Sequence, residues 1–274
     1  MGIITISREV GSYGDEIAAM VAEKLGYELM DREQVHKLVR QCDAEFSRAC
    51  EAFAEEVKPR GFFERLSFSN PSFTALFEAL NYEAALEGNV VMLGRGAQVA
   101  FAKVPGVLKC RVVAPLELRV QRIMKKKGMS REEALEFVQR YGRERRALLE
   151  SIYRVDLYSP SNFDLVLNTA GFELDQAVEL VVQAARFLEA NADLKSRDTL
   201  LKNLALAKRI ESAIKKQIST LPAHELTVEF QDGVATLRGL VSTPKAKAKA
   251  EKIAAGFEGV TKVDNQLRTA ELTF

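Results

Sequence analysis

Over the first two-thirds of the chain, short apolar runs alternate with stretches whose apolar residues recur every three or four positions. Residues 3–6 (IITI) are apolar and β-branched, the pattern of a strand buried on both faces. The turn Ser7-Arg8-Glu9-Val10-Gly11-Ser12-Tyr13-Gly14 follows. Ile17, Ala18, Val21, Ala22 and Leu25 then predict a helix over residues 15–25, stopped by Gly26. Residues 27–30 read as a second short strand ending at Asp31. Helical patterns cover residues 33–41 and about 45–57, and residues 58–72 are irregular. A helix over residues 73–86 ends at Gly88, and strand Val90–Leu93 runs into Gly94-Arg95-Gly96. Val107–Val113 is a strand, and Pro115 opens a helix to Lys127. Ser130 and Glu133 make a capping box for a helix to about Arg154. Residues 164–168 form one more apolar strand and residues 174–188 an amphipathic helix. This alternation predicts an α/β fold with a parallel sheet covered on both faces.

The pattern changes near Glu189, where EANADLKSRD is polar. The expected division is a domain over residues 1–190, a linker over 191–198 and a second domain over 199–274. Residues 200–218 read as a helix before Pro222. Residues 225–230 and Val234–Arg238 alternate polar and apolar around Asp232-Gly233, a hairpin signal. Helix Pro244–Ala255 and a strand within residues 259–268 complete a small α-β-β-α-β unit. Residues 199–274 hold 12 basic and 8 acidic side chains and residues 1–198 hold 27 and 30, a sign change that supports the boundary.

Composition narrows the function classes. The chain is 47% apolar and 28% charged, which suits a folded core. A formal net charge of +1 argues against a dedicated DNA-binding protein. Cys42, Cys50 and Cys110 form no metal or disulfide framework, and two histidines make a histidine-rich zinc site unsuitable. No apolar run reaches the roughly 18 residues that span a membrane. The N-terminal residues do not read as a secretion signal. A cytoplasmic location is the expectation.

Five ordered pieces carry a resemblance: ITISREVGSYGDEIA, LMDRE, VVMLGRGA, RERR and FDLVLNT. Together they resemble the cytidylate-kinase-like branch of the P-loop nucleoside monophosphate kinases, over about residues 1–190. The resemblance implies a parallel-sheet P-loop kinase domain, an ATP site with Mg2+ at the first strand–helix turn, a monophosphate site and an arginine-bearing lid. Such chemistry needs backbone amides, a helix N-terminus and guanidinium forks around phosphate. The turn lacks the G-x-x-x-x-G-K-[ST] signature. Gly14 stands where a lysine is usual, and Asp15 where this branch often carries an arginine. Asp15 and Glu16 therefore open the helix, where a like-charge contact at ~4 Å costs about 4 kcal/mol. They have two readings: first-turn acids that complement the dipole, or parts of a metal–nucleotide site in which magnesium bridges them, with Glu16 as the metal candidate. Ser7, Arg8, Gly11, Ser12 and Gly14 are the nucleotide-binding candidates, with Arg8 as the replacement cation. Asp31 is either a helix cap or an acceptor-site residue. Arg95 is the acceptor-phosphate candidate, although Gly96 stands where the family has aspartate. Arg143, Arg145 and Arg146 are the catalytic lid candidates, with Gly142 where the lid commonly begins with aspartate. The bland reading of the same arginines is a solvated face.

Residues about 199–270 resemble a BON domain, through the α-β-β-α-β order, LTVEF, GVATLRG and GVTKVDN. That resemblance implies a binding module for a protein or lipid partner. The leading expectation is a kinase-like protein with a small C-terminal α-β-β-α-β (BON-like) domain that tunes or localises it. The alternatives are a catalytically inactive nucleotide-binding regulator and a BON-mediated docking protein.

Overall fold

The computed structural model describes residues 2–31, 33–34, 37–38, 71–153, 156, 158–218 and 226–269. The described residues form two compact units. One holds the described residues of 2–38 with 87–197, the other 71–86 with 198–269.

The first unit is built on five parallel strands: β1 (Ile3–Arg8), β2 (Glu28–Met30), β3 (Val90–Leu93), β4 (Val107–Val113) and β5 (Leu165–Asn168). Their order is β2-β3-β1-β4-β5. β1 lies centrally, with Ile3 opposite both Val90 and Val107 and Ser7 opposite Arg111. Helices α1 (Gly14–Leu25) and α6 (Leu174–Ala190) cover this sheet through Ile17, Val21, Val178, Val181 and Val182, all buried. This is the parallel α/β fold expected from the alternation. Strands are added to one side of β1 (β2, β3) and then to the other (β4, β5), and such a switch point in a parallel sheet places a crevice beyond the C-terminal ends of the strands around it. Between the strands lie α3 (Ala97–Ala100), α4 (Leu116–Lys127) and α5 (Arg131–Tyr153). α4 and α5 share a small core of Val120, Ile123, Ala134 and Val138. Ser130 and Glu133 cap α5 reciprocally, as their spacing predicts.

The second unit contains α2 (Pro71–Glu87, all but its last residue) and α7 (Leu194–Gln217, from residue 198 onward). They are joined by ion pairs: Lys208 to Glu78 at 2.8 Å and Arg209 to Glu83 at 2.6 Å. The hairpin β6 (Thr227–Gln231) and β7 (Val234–Arg238) turns on Asp232 and Gly233 at φ 50° and 80°. β9 (Lys262–Asn265) adds parallel to β7. β8 (Leu240–Val241) and β10 (Arg268–Thr269) form a separate pair. α8 (Pro244–Ala255) buries Ala250 and Ala254 in the same core as Ile210, Leu226 and Leu237. The Thr243 hydroxyl caps α8 by accepting from the Ala246 amide at 3.1 Å. Thr243→Ala should cost about 1 kcal/mol and Thr243→Ser almost nothing. Hydrogen exchange of the first-turn amides of α8 measures this.

Two expectations are revised. The polar stretch 191–198 is not a free linker: α6 reaches Ala190 and α7 starts at Leu194. Asp193 explains the early start, accepting from the Ser196 amide and hydroxyl at 3.1 and 2.7 Å. Residues 191–193 are a short turn, and the polar residues after it belong to the first turn of the helix, where Lys195 and Ser196 are exposed and Arg197 is buried. The helix expected from residue 73 begins at Pro71 and groups with the C-terminal unit, so the first domain is not one continuous stretch. The patterns over 39–57, most of the irregular stretch that follows, Cys42, Cys50 and Arg154 lie outside the described residues.

Candidate active site

The turn after β1 is fixed from below. The Ser12 amide and hydroxyl donate to the Glu9 carbonyl at 3.2 and 2.8 Å, and Ser12 is buried. Its hydroxyl is thus turned into the loop. Gly11 has φ 81°, and a Cβ there would lie 2.7 Å from the Arg119 carbonyl oxygen. Gly14 must be glycine for another reason, since a Cβ would overlap the Arg8 side chain. Tyr13 takes the left-handed position before α1, and no side chain caps that helix. Its first amides therefore face the turn, where an anion is favoured.

Arg8 does not point into solvent. Its Nε and Nη2 lie 2.9 and 2.8 Å from Asp15 Oδ1, and its side chain is 16% exposed. A Cβ on Gly94 would overlap both Arg8 Nη1 and Arg145 Nη2. The two guanidiniums therefore meet over bare backbone at the end of β3. Burial lowers the Arg8 pKa, Arg145 lowers it further, and Asp15 works in the opposite direction. A cavity of about 340 Å3 opens here, lined by Arg8, Arg111, Arg119, Arg143, Arg145 and Arg146. Glu9 is the carboxylate among its lining residues. Six planar cations around one acid suit a polyphosphate, which guanidinium forks match in shape and charge.

Arg111 and Arg119 are absent from the sequence-based candidates. Arg111 projects from mid-β4, donates to Ser7 Oγ at 3.3 Å and lies 3.7 Å from Glu9 Oε1. Burial lowers its pKa, and Glu9 opposes that shift. Arg119 Nε is 3.4 Å from Glu9 Oε2 and donates to the Ala114 carbonyl at 2.9 Å. Glu9 thus aims both arginines. The available signal was an arginine inside the apolar strand VLKCRVV.

A second cavity of about 560 Å3 adjoins the turn and shares Glu9, Val10 and Tyr141 with the first. It is lined by Gly11, the stretch from Tyr13 to Glu16, Arg122, Lys125 to Lys127, Phe137 and Tyr141. The Arg122 guanidinium lies 3.9 Å over the Tyr13 ring and donates to Thr169 Oγ1 at 2.8 Å. Thr169 in turn donates to the Ser12 carbonyl at 3.0 Å, tying β5 to the turn.

The remaining candidates fall as follows. Glu16 pairs with Lys126 at 2.7 Å. Among the described residues no group of three His, Cys, Asp or Glu side chains is arranged to hold a metal ion. Asp31 accepts from the Glu33 and Gln34 amides at 2.9 and 3.0 Å, the geometry of a helix cap. Arg95 has φ 58°, and its carbonyl accepts from the Tyr153 hydroxyl at 3.2 Å. Arg143 lines the arginine cavity from an exposed position, Arg145 lies 3.3 Å from the Tyr141 hydroxyl, and Arg146 Nε lies 3.3 Å from Glu150. The structure brings Arg8, Arg143, Arg145 and Arg146 to one cavity.

Residues 3–171 match the model of the cytidylate kinase-like family, and residues 203–271 match the BON domain. This chain belongs to the cytidylate kinase-like family. A cytidylate kinase from Methanopyrus kandleri is 31% identical over 144 residues, covering 48% of this chain and 75% of that one. A uronate isomerase from Corynebacterium glutamicum is 35% identical over 99 residues, 36% of this chain. The matched part spans only 19% of that isomerase. A solved structure of an uncharacterized protein from Eubacterium ventriosum has a TM-score of 0.52 at 16% identity, covering 68% of this chain and 99% of that one. That likeness concerns the fold alone. Family membership supports a nucleotide kinase and does not favour the inactive regulator or the docking scaffold. Among the described residues no helix is long and apolar enough to cross a membrane.

One departure from the family pattern has a steric cause. A Cβ at Gly96, φ 75°, would overlap the Tyr153 ring, so no aspartate fits there while Tyr153 holds its place. Gly142 is different: a Cβ would meet nothing within 4 Å. Nothing in the structure explains that replacement.

Proposed function

We propose that this protein transfers a phosphoryl group from Mg·ATP to a nucleoside monophosphate of the cytidylate class. The observation that carries this reading is the meeting over Gly94 of Arg8 and Arg145, two arginines that also line the arginine cavity. Two cations held together over bare main chain fit a phosphate between them. The donor polyphosphate fits the uncapped start of α1 and the Arg8–Arg145 pair, with the nucleoside in the larger cavity beside Tyr13 and Arg122. Magnesium belongs to the substrate in this reading, because Glu16 is engaged by Lys126. It would offset charge on the triphosphate.

The chain's own residues bind, orient and neutralise. Arg8 exchanges Asp15 for phosphate oxygens. Arg143, Arg145 and Arg146 on α5 surround the migrating group, where charge spreads over its equatorial oxygens. Arg95 and Asp31 lie at the ends of β3 and β2 and serve the acceptor. The BON-like unit tunes or localises the activity through a protein or lipid partner, and the protein works in the cytoplasm.

A coupled ADP-release assay with Mg·ATP and CMP, dCMP, UMP or AMP tests this. Turnover with a pyrimidine monophosphate is the expected result. No turnover with any acceptor, alongside measurable ATP binding, would refute it.

A further inference from the structure

One aromatic ring in the arginine cavity touches two of its cations. The Tyr158 ring centre lies 4.4 Å from Arg111 Cζ and 4.5 Å from Arg146 Cζ. Arg111 rises from the buried sheet, whereas Arg146 sits on the exposed side of α5. All three line the same cavity. Bringing both guanidiniums to one wall sets like charges against each other, and Arg146 lowers the preference of the already buried Arg111 for its charged form. A carboxylate placed between them would hold them, but it would also cancel their charge and occupy their N–H donors. An aromatic face attracts a guanidinium through its quadrupole and leaves the in-plane donors for another partner.

We infer that Tyr158 is a positioning residue: it fixes Arg111 and Arg146 against the cavity wall with their charge intact, so that both present donors to phosphate. The inference rests on the phosphotransferase reading and assigns that site a further part. The ring's own place is set locally, because the Tyr158 amide donates to Asp156 Oδ1 at 3.1 Å. Arg111 keeps its other anchors, Ser7 Oγ at 3.3 Å and Glu9 Oε1 at 3.7 Å, and Arg146 keeps Glu150; each carboxylate reaches only one of the two arginines, whereas the ring reaches both. Tyr158 thereby links the sheet arginine to the helix arginine without neutralising either. Burial raises the pKa of its hydroxyl, so the ring stays neutral at ordinary pH.

The test uses the full chain and three proteins: wild type, Tyr158→Phe and Tyr158→Leu. Tripolyphosphate binding is measured by calorimetry, and kcat and KM by the coupled assay, with melting temperatures as the folding control. Leucine keeps apolar bulk but has no π face. The expected result is tripolyphosphate affinity about tenfold weaker in the leucine variant, with kcat falling more than KM rises. The phenylalanine variant should stay within about twofold of wild type. Leucine behaving like wild type, or phenylalanine failing as badly as leucine, would overturn the inference. If wild type binds tripolyphosphate but turns over no acceptor, and only leucine weakens binding, the positioning role stands and the kinase reading falls. If wild type neither binds tripolyphosphate nor turns over, both fall.

Discussion

Arg8→Ala should lower kcat for phosphoryl transfer by about 10²–10³-fold, the usual loss when one preorganised donor to developing charge is removed. Arg8 stands where the turn has no lysine, and its Nη1 reaches the point where Arg145 Nη2 also arrives. Removing it leaves Asp15, whose side chain is 58% exposed and hydrated, so folding should change little. The melting temperature should therefore stay close to wild type while activity collapses. Arg8→Lys should recover only part of the rate, because an ammonium restores charge without the planar fork. A coupled assay on the three proteins, with circular dichroism as control, measures both effects. An alanine variant as active as wild type would remove Arg8 from the machinery.

Gly94→Ala should be nearly as damaging. The position has φ 78°, and the added Cβ would overlap the ends of both Arg8 and Arg145. Two effects then separate. A left-handed alanine costs roughly 1–2 kcal/mol, which shifts melting by a few degrees. Displacing two phosphate ligands by about 1 Å costs on the order of 10²-fold in rate. The account expects kcat/KM to fall by about that factor in a protein that still folds. A large fall in melting temperature with unchanged specific activity of the folded fraction would show that Gly94 serves the backbone alone.

The strand runs were legible because each is short, β-branched and bounded by glycine or a polar turn. Val90–Leu93 and Val107–Val113 in the sequence are the observed β3 and β4, and Pro244–Ala255 is the observed α8. The hairpin was legible at Asp232-Gly233 because few other residue pairs accept two positive φ angles. The grouping of α2 with the C-terminal unit was not legible, because hydrophobic period says which face is buried and not which partner buries it. The 191–198 stretch misled because the polar first turn of a helix, beginning at Leu194, and a polar loop share composition. Within the site, Arg8 was visible as the cation of the turn, and the α5 arginines as a helix cluster that matches the lid of the family the sequence resembles. Arg111 was hidden by its strand: an arginine in an apolar run looks like an edge residue until Glu9, Ser7 and Tyr158 surround it. Gly94 was read only as the residue that follows the strand, and the two guanidiniums above it show what its bare backbone admits.

The central claim is that arginines, Arg8 and Arg145 above all, hold the donor phosphates at this turn. A crystal structure of the full chain with a non-hydrolysable ATP analogue and magnesium tests it most directly. The account predicts phosphate oxygens within about 3 Å of the guanidinium nitrogens of Arg8 and Arg145, with Arg8 drawn off Asp15. Phosphates bound away from Gly94, with Arg8 still locked to Asp15, would contradict it.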